Sequence, residues 1–208
     1  MIIKIVCAGQ NDFSSLYKKD DNEFIIAVDG GIKAVKEKKL IADLLIGDFD
    51  SCSLSEEEYR NNYLKKMTFN ARKDYSDLEL ALQECEKNSH DDVDEILIYN
   101  ATGIRLDHFY ANILLLEKYS NLKAKIIDKN NCIFIINKNE NFFKNEYKYI
   151  SFFALESDTI ISLNGFSYDL SDYNLNINDP LCLSNEILKN SIATIKINNK
   201  KVLVIRSN

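Results

Sequence analysis

An α/β fold followed by an all-β one is what this 208-residue sequence predicts, and three observations carry the prediction. Apolar, β-branched runs bounded by glycine or polar turns alternate with helical stretches as far as residue 128. From Cys132 onward, short strand-like runs are separated by Asn, Asp, Gly and Ser, with no convincing helix among them. The unusual polar residues of the first half fall just after its strands. Alternating strands and helices imply a parallel sheet covered on both faces, and strands alone imply a sandwich or barrel. The expected architecture is an N-terminal doubly wound, Rossmann-like domain with a mostly parallel sheet, then a small all-β sandwich domain.

Ile2-Ile3-Lys4-Ile5-Val6 reads as the first strand and ends in Cys7-Ala8-Gly9. Phe24 to Val28 reads as the second, ending in Asp29-Gly30-Gly31, and Ile32 to Lys39 has helical spacing. Asp43-Leu44-Leu45-Ile46 is the third strand, and Gly47-Asp48-Phe49-Asp50-Ser51 follows it. Ser55-Glu56-Glu57-Glu58 and Ser76-Asp77-Leu78-Glu79 each place a hydroxyl three residues before a glutamate, the mark of a helix start. Met67-Thr68-Phe69 and Glu95 to Tyr99 are further strands. Leu106 to Lys118 reads as a helix with Phe109, Ile113 and Leu116 on its apolar face, and Ala124 to Asp128 closes the alternating half.

Six strand candidates then follow: Cys132 to Ile136, Tyr149 to Leu155, Thr159 to Leu163, Leu181 to Leu183, Ile192 to Ile197 and Val202 to Ile205. The polar segment Asn137 to Glu146 is the expected linker within a possible range of 129 to 147, giving domains of residues 1–137 and 138–208.

A hydrophobic content of 46% supports a sizeable core, yet no apolar run is long enough to cross a bilayer and no signal-peptide pattern opens the chain. A cytoplasmic protein with no membrane partner is expected. The formal charge of −6 leaves no basic face for a phosphate backbone, which argues against nucleic acid as a partner. Cys7, Cys52, Cys85, Cys132 and Cys182 are odd in number and never in a C-x-x-C pair, so neither a disulfide framework nor a zinc site is indicated.

In open α/β sheets, ligands sit outside the carboxyl ends of the strands. Asp29 follows the second strand, Asp48 and Asp50 the third, Lys73, Asp74 and Asp77 the strand at Met67, and Arg105 with Asp107 the strand at Glu95. Any one of these is also an ordinary loop charge, and Gly47 to Ser51 alone is also an acidic turn. Together they form a cluster of carboxylates beside a few cations, the composition that holds a metal-bound polyphosphate. Arg105 lies near a helix start, where free amides favour anions, and its guanidinium can grip phosphate through two hydrogen bonds; the plain alternative is a pair with Asp107. His108, inside the helical pattern, reads as a core or supporting histidine, and His90 as a surface residue.

The ordered set Asp29-Gly30-Gly31, Gly47-Asp48-Phe49-Asp50-Ser51, Lys73-Asp74-Tyr75-Ser76-Asp77 and Thr102-Gly103-Ile104-Arg105-Leu106-Asp107-His108 resembles the thiamine pyrophosphokinase (thiamine diphosphokinase) family. The resemblance runs the whole length, because Gly165-Phe166-Ser167-Tyr168-Asp169-Leu170 and Leu183-Ser184-Asn185-Glu186 are similar to the family's thiamine-binding signatures. Asn100 and Ile104 stand where the family tends to have glycines, and Ser76 where it has threonine. The resemblance implies transfer of a pyrophosphoryl group from ATP to the hydroxyl of thiamine, giving thiamine diphosphate and AMP. It implies a Mg²⁺ site at Asp48, Asp50 and Asp77 with Asp29 nearby, and an ATP side formed by Lys73, Asp74, Ser76, Arg105, Asp107 and His108. Tyr168, Ser184 and Asn185, with Phe166, fall on the thiamine side, and a homodimer follows from a thiamine pocket shared between subunits.

Two rivals stand beside this reading. Asp48-Phe49-Asp50-Ser51 superficially resembles the D-x-D loop of haloacid-dehalogenase-type phosphatases, although that loop normally follows the first strand. A non-catalytic nucleotide or thiamine sensor would have little need of so many carboxylates.

Overall fold

The computed structural model describes residues 1–47, 57, 60–68, 75–88, 93–189 and 192–208. The chain divides into two compact units, Met1–Lys129 and Asn130–Asn208. The first is α/β and the second all-β, in the order expected.

Among the described residues, six parallel strands build the first unit: β1 (Ile2–Val6), β2 (Glu23–Val28), β3 (Ala42–Gly47), β4 (Tyr63–Thr68), β5 (Glu95–Tyr99) and β6 (Ala124–Ile127). Their spatial order is β4-β3-β2-β1-β5-β6. The chain winds outward from β1 to β4, then crosses to the other side of β1 for β5. The order therefore reverses between β1 and β5, and a crevice at such a reversal is where this architecture takes ligands. Helices α1 (Phe13–Leu16), α2 (Ile32–Glu37), α3 (Asp77–Asn88) and α4 (Leu106–Lys118) connect the strands.

Burial on both faces explains the unbroken apolar runs. Val6, Ala27, Leu45 and Tyr99 meet Phe13, Ile32 and Val35 of α1 and α2 in one cluster, with the Phe13 and Tyr99 rings edge-on at 5.2 Å. Each fully buried Ile or Phe here contributes roughly 1.5–3 kcal/mol. Ser76 caps α3 as its sequence signature requires, its Oγ accepting the Glu79 amide at 3.2 Å. Strand β4 begins at Tyr63, ahead of the predicted Met67 start, because pairing with β3 recruits Tyr63, Lys65 and Lys66, and the two charged lysines mask the strand in the sequence.

Lys4 interrupts the apolar pattern of the central strand with a side chain only 1% exposed. Its ammonium lies 2.5 Å from Glu23 Oε2, 2.7 Å from Asp20 Oδ2 and 4.5 Å from the Tyr17 ring centroid. A buried charge persists only when paired in this way. Burial pushes the Glu23 carboxyl up, but hydrogen bonds from Lys4, Tyr17 and the Asp20 amide outweigh it and hold the group below its ordinary value.

In the second unit, β7 (Asn131–Ile136), β13 (Val202–Ser207) and β9 (Tyr149–Ala154) form one antiparallel set in the order β7-β13-β9. A second set runs β11-β10-β12-β8, with β8 at Glu140–Phe143, β10 at Thr159–Asn164, β11 at Leu170–Leu175 and β12 at Ile192–Ile197. Phe142, Phe152, Phe166, Ile161, Ile195 and Val204 fill its core. Because β7 pairs with β13, residues 131–136 go with this unit, and the division falls ahead of the expected 137/138 boundary. Strand β8 occupies part of the expected linker, and β11 was hidden by its polar composition, Leu-Ser-Asp-Tyr-Asn-Leu. Leu181 to Leu183 is a turn rather than the predicted strand: Asp179 Oδ1 accepts the Leu181 amide at 2.9 Å and Pro180 O accepts that of Leu183 at 3.1 Å.

Candidate active site

The carboxyl ends of β1, β2 and β5 surround a cavity of about 670 Å³, a size usual for small-molecule sites. Ala8, Gly9 and Gln10 form one wall, residues 100 to 105 another, and Ser76 with Asp77 at the start of α3 a third. Asp29 and His108 also face it. Each wall is a strand end or helix start, so the groups presented are those the regular structure leaves over.

Asp29 adopts a left-handed backbone conformation, φ +47°, one that L-residues other than Asn and Asp rarely accept. Gly47 packs directly behind it: a Cβ there would lie 3.1 Å from Asp29 Cα, a tight contact that, with a backbone φ of +156°, favours glycine. Asp77 is the first residue of α3, where the helix dipole favours a negative charge. Cys7 lies close enough to register that charge. Burial pushes the Cys7 thiol up to about 12, and Asp77 adds to the shift.

Arg105 takes the arrangement named as its plain alternative. Its Nε and Nη2 donate to Asp107 at 3.2 and 2.5 Å, with the two side chains 67% and 64% exposed. The Asp107 carboxyl is held at about 2, first by that hydrogen bond. A pair this open to water is worth little, so an incoming phosphate can take the guanidinium from Asp107 at small cost. His108 is exposed at the rim, which corrects the reading of it as a core residue: the third position of α4 looks outward beside the cavity. Ile104 is 98% exposed with an ordinary negative φ, so the missing glycine strains nothing there.

Asp48, Asp50, Lys73 and Asp74 lie outside the described residues. Among the described residues no group of three or more His, Cys, Asp or Glu converges as a metal cage. Asp29 and Asp77 do line one cavity, and Mg²⁺ typically takes one or two carboxylates plus phosphate oxygens, so this donor set fits that ion.

In the second unit, Tyr168 is 73% exposed and Ser184 is exposed in a left-handed turn, φ +56°. Asn185 is buried and occupied: its Oδ1 accepts the Tyr168 amide at 3.0 Å and its Nδ2 donates to Tyr168 O at 2.7 Å. Phe166 is only 2% exposed and packs edge-on against Phe152 at 5.6 Å, so its ring belongs to the core and is not offered to a ligand, contrary to expectation.

Sequence reasoning missed the Ala8–Gln10 wall and the role of Asn100. Gly9 after the first strand was the available signal. A Cβ on it would stand 2.3 Å from Asn100 O, so glycine is required for the two loops to touch.

Comparison with known proteins agrees along the whole chain. Residues 16–127 match the family model described as thiamin pyrophosphokinase, catalytic domain, and residues 133–202 match that described as thiamin pyrophosphokinase, vitamin B1 binding domain. A thiamine pyrophosphokinase of Bacillus subtilis (strain 168) is 34% identical over 204 residues, covering 90% of this chain and 89% of the relative. The crystal structure of thiamine pyrophosphokinase from Bacillus subtilis superposes with a TM-score of 0.85 at 31% identity, covering 100% of this chain and 99% of that one. That of thiamin pyrophosphokinase from Geobacillus thermodenitrificans gives 0.83 at 27% identity, covering 100% and 98%. With both domain models matched in order and a relative above 30% identity across nine-tenths of its length, the chain belongs to the thiamine pyrophosphokinase family.

Proposed function

We propose that this chain is a thiamine diphosphokinase that transfers the pyrophosphoryl group of ATP to the hydroxyl of thiamine, releasing AMP. The observation that carries the proposal is the cavity at the sheet's reversal point, which gathers Asp29, Asp77 and Arg105 in a member of this family.

The residues have distinct tasks in this reading. Asp29 and Asp77, with Asp48 and Asp50, which follow β3 in sequence, would hold Mg²⁺, and the ion would supply charge to offset that on the phosphate oxygens. Arg105 leaves Asp107 to grip a phosphate in two-point fashion, aided by Lys73 and by the free amides opening α4. Asp74, Ser76 and His108 complete the ATP side, and Ser76 does so from its capping position. The thiamine hydroxyl attacks the β-phosphorus in line, and a loose transition state makes little demand for a strong base. Positioning is what these residues supply.

Thiamine carries a cationic thiazolium, and the open Tyr168 ring offers a face for it. Ser184 offers a hydroxyl, and Asn185 supports Tyr168 from behind. Leu106, Tyr110 and Leu114 leave an exposed apolar stripe on α4, and Leu181 and Leu183 another in the second unit. Stripes of this kind favour a homodimer. A cytoplasmic location suits the family's substrates, and no helix among the described residues is long and apolar enough to cross a membrane.

Incubation with ATP, Mg²⁺ and thiamine should yield AMP and thiamine diphosphate in equal amounts. Inorganic phosphate released without thiamine would point to a phosphatase. Tight binding with no AMP would point to a sensor.

A further inference from the structure

We infer that Asn100 is a positioning residue for the nucleotide side of the cavity, which deepens and rests on the reaction proposed above. Asn100 follows β5 at the reversal point, is 3% exposed, and has a left-handed φ of +57°. Its Oδ1 accepts two amides from a segment far away in sequence, Asp12 N at 3.0 Å and Phe13 N at 2.9 Å. Two N–H donors converge on that atom, so it is the amide oxygen and not the nitrogen that faces them. Its backbone oxygen accepts Gly9 N at 3.0 Å.

These bonds act on two cavity walls at once. Ala8, Gly9 and Gln10 lie between β1 and the anchored amides of Asp12 and Phe13, so the Asn100 side chain fixes the far end of that strap. The other wall, Ala101 to Arg105, continues from Asn100 itself and is held by Asn112 Nδ2, which donates to Ala101 O at 2.7 Å. One residue thus ties both walls. The left-handed backbone here is open to glycine and asparagine, but only asparagine (or aspartate) also supplies the acceptor. Asn100 touches the strap rather than the reacting atoms. Its effect belongs in ATP binding and not in the chemical step.

Asn100→Gly keeps the backbone conformation and removes only the tie, whereas Asn100→Asp keeps a carboxylate oxygen for both amides. The expected result is an ATP KM raised about tenfold in Asn100→Gly, the scale of two lost buried hydrogen bonds, with kcat and thiamine KM within about threefold. Asn100→Asp should recover most of the ATP KM. Hydrogen exchange at the Asp12 and Phe13 amides should quicken by about tenfold in Asn100→Gly and return towards the wild-type rate in Asn100→Asp. The inference is overturned by quickened exchange with unchanged ATP KM, by equal losses for both substrates, or by unaltered exchange. Calorimetric titration with ATP separates it from the reaction: a wild-type protein without turnover, whose ATP affinity still falls in Asn100→Gly, sinks the proposed activity and keeps the positioning role. No ATP binding by the wild type overturns both.

Discussion

The strand ends of the first unit and the Phe166–Tyr168 corner of the second make opposite use of their polar residues. A parallel sheet delivers several strands to one edge, each stops there, and the next helix starts nearby. Asp29, Asp77 and Arg105 emerge at those stops and line the cavity, Arg105 in a water-exposed pair with Asp107. An antiparallel sandwich turns its chain back at every edge, and the turn consumes what is polar. Asn185 is bound to Tyr168 on both sides of its amide, Asp169 Oδ1 accepts the Phe166 amide at 3.0 Å, and Ser184 N donates to Ser151 Oγ at 2.9 Å. Under the proposed function, Asp29, Asp77 and Arg105 meet ligand, whereas the polar residues of the sandwich corner hold the fold.

The sharpest way to break this contrast is to remove one carboxylate from the strand-end cavity. Asp77→Asn keeps the shape and loses the charge, so kcat should fall by roughly 10²–10³-fold if the group offsets charge in the transition state. Loss of a favourable charge at a helix start costs only about 0.3–1 kcal/mol of stability. Rate and melting temperature should part company. A variant that melts early but turns over normally would make Asp77 scaffold after all, and the two units alike.

Asn185→Ala is the mirror experiment. It leaves the Tyr168 amide and carbonyl without partners in a site 3% exposed, and the Glu186 amide loses a 2.9 Å acceptor as well. The expected cost is about 2–4 kcal/mol, read as lost stability in urea unfolding followed by probes in residues 130–208. Full stability with a large rise in thiamine KM would turn Asn185 into a ligand contact and erase the distinction.

The same contrast explains what the sequence disclosed. Local signals were legible where they were self-contained: the Ser76 cap, the Leu106–Lys118 helix and the runs of β1, β2, β3, β5 and β6 stand where periodicity and capping put them. The single turn of α1 was too short to show a period, and β11 carried too many polar residues to read as a strand. Lys4 was invisible as a buried ion because its partners at Asp20 and Glu23 come from the next segment of chain. Asn100 was legible only as a departure from a family glycine, since its bonds to Asp12 and Phe13 span 88 and 87 residues. Carboxylates that follow strands can be singled out as candidates by position alone, and Asp29 and Asp77 do line one cavity. Groups that hold the site together do so through contacts that no local pattern encodes.

Tyr168 tests the sandwich corner from its open side, with the smallest effect. Its ring is 73% exposed, so Tyr168→Ala removes little packing and should shift stability by no more than about 0.5 kcal/mol. A cation held over the ring contributes roughly 0.5–2 kcal/mol, so thiamine KM should rise about 2- to 30-fold while ATP KM stays put. Tyr168→Phe keeps the aromatic face and should restore most of that loss, which separates a ring contact from a hydroxyl contact. If Tyr168→Ala instead lowers stability as much as Asn185→Ala, the corner is a single structural unit. The pair of bonds between Asn185 and the Tyr168 backbone would then serve the fold rather than the presentation of an aromatic face.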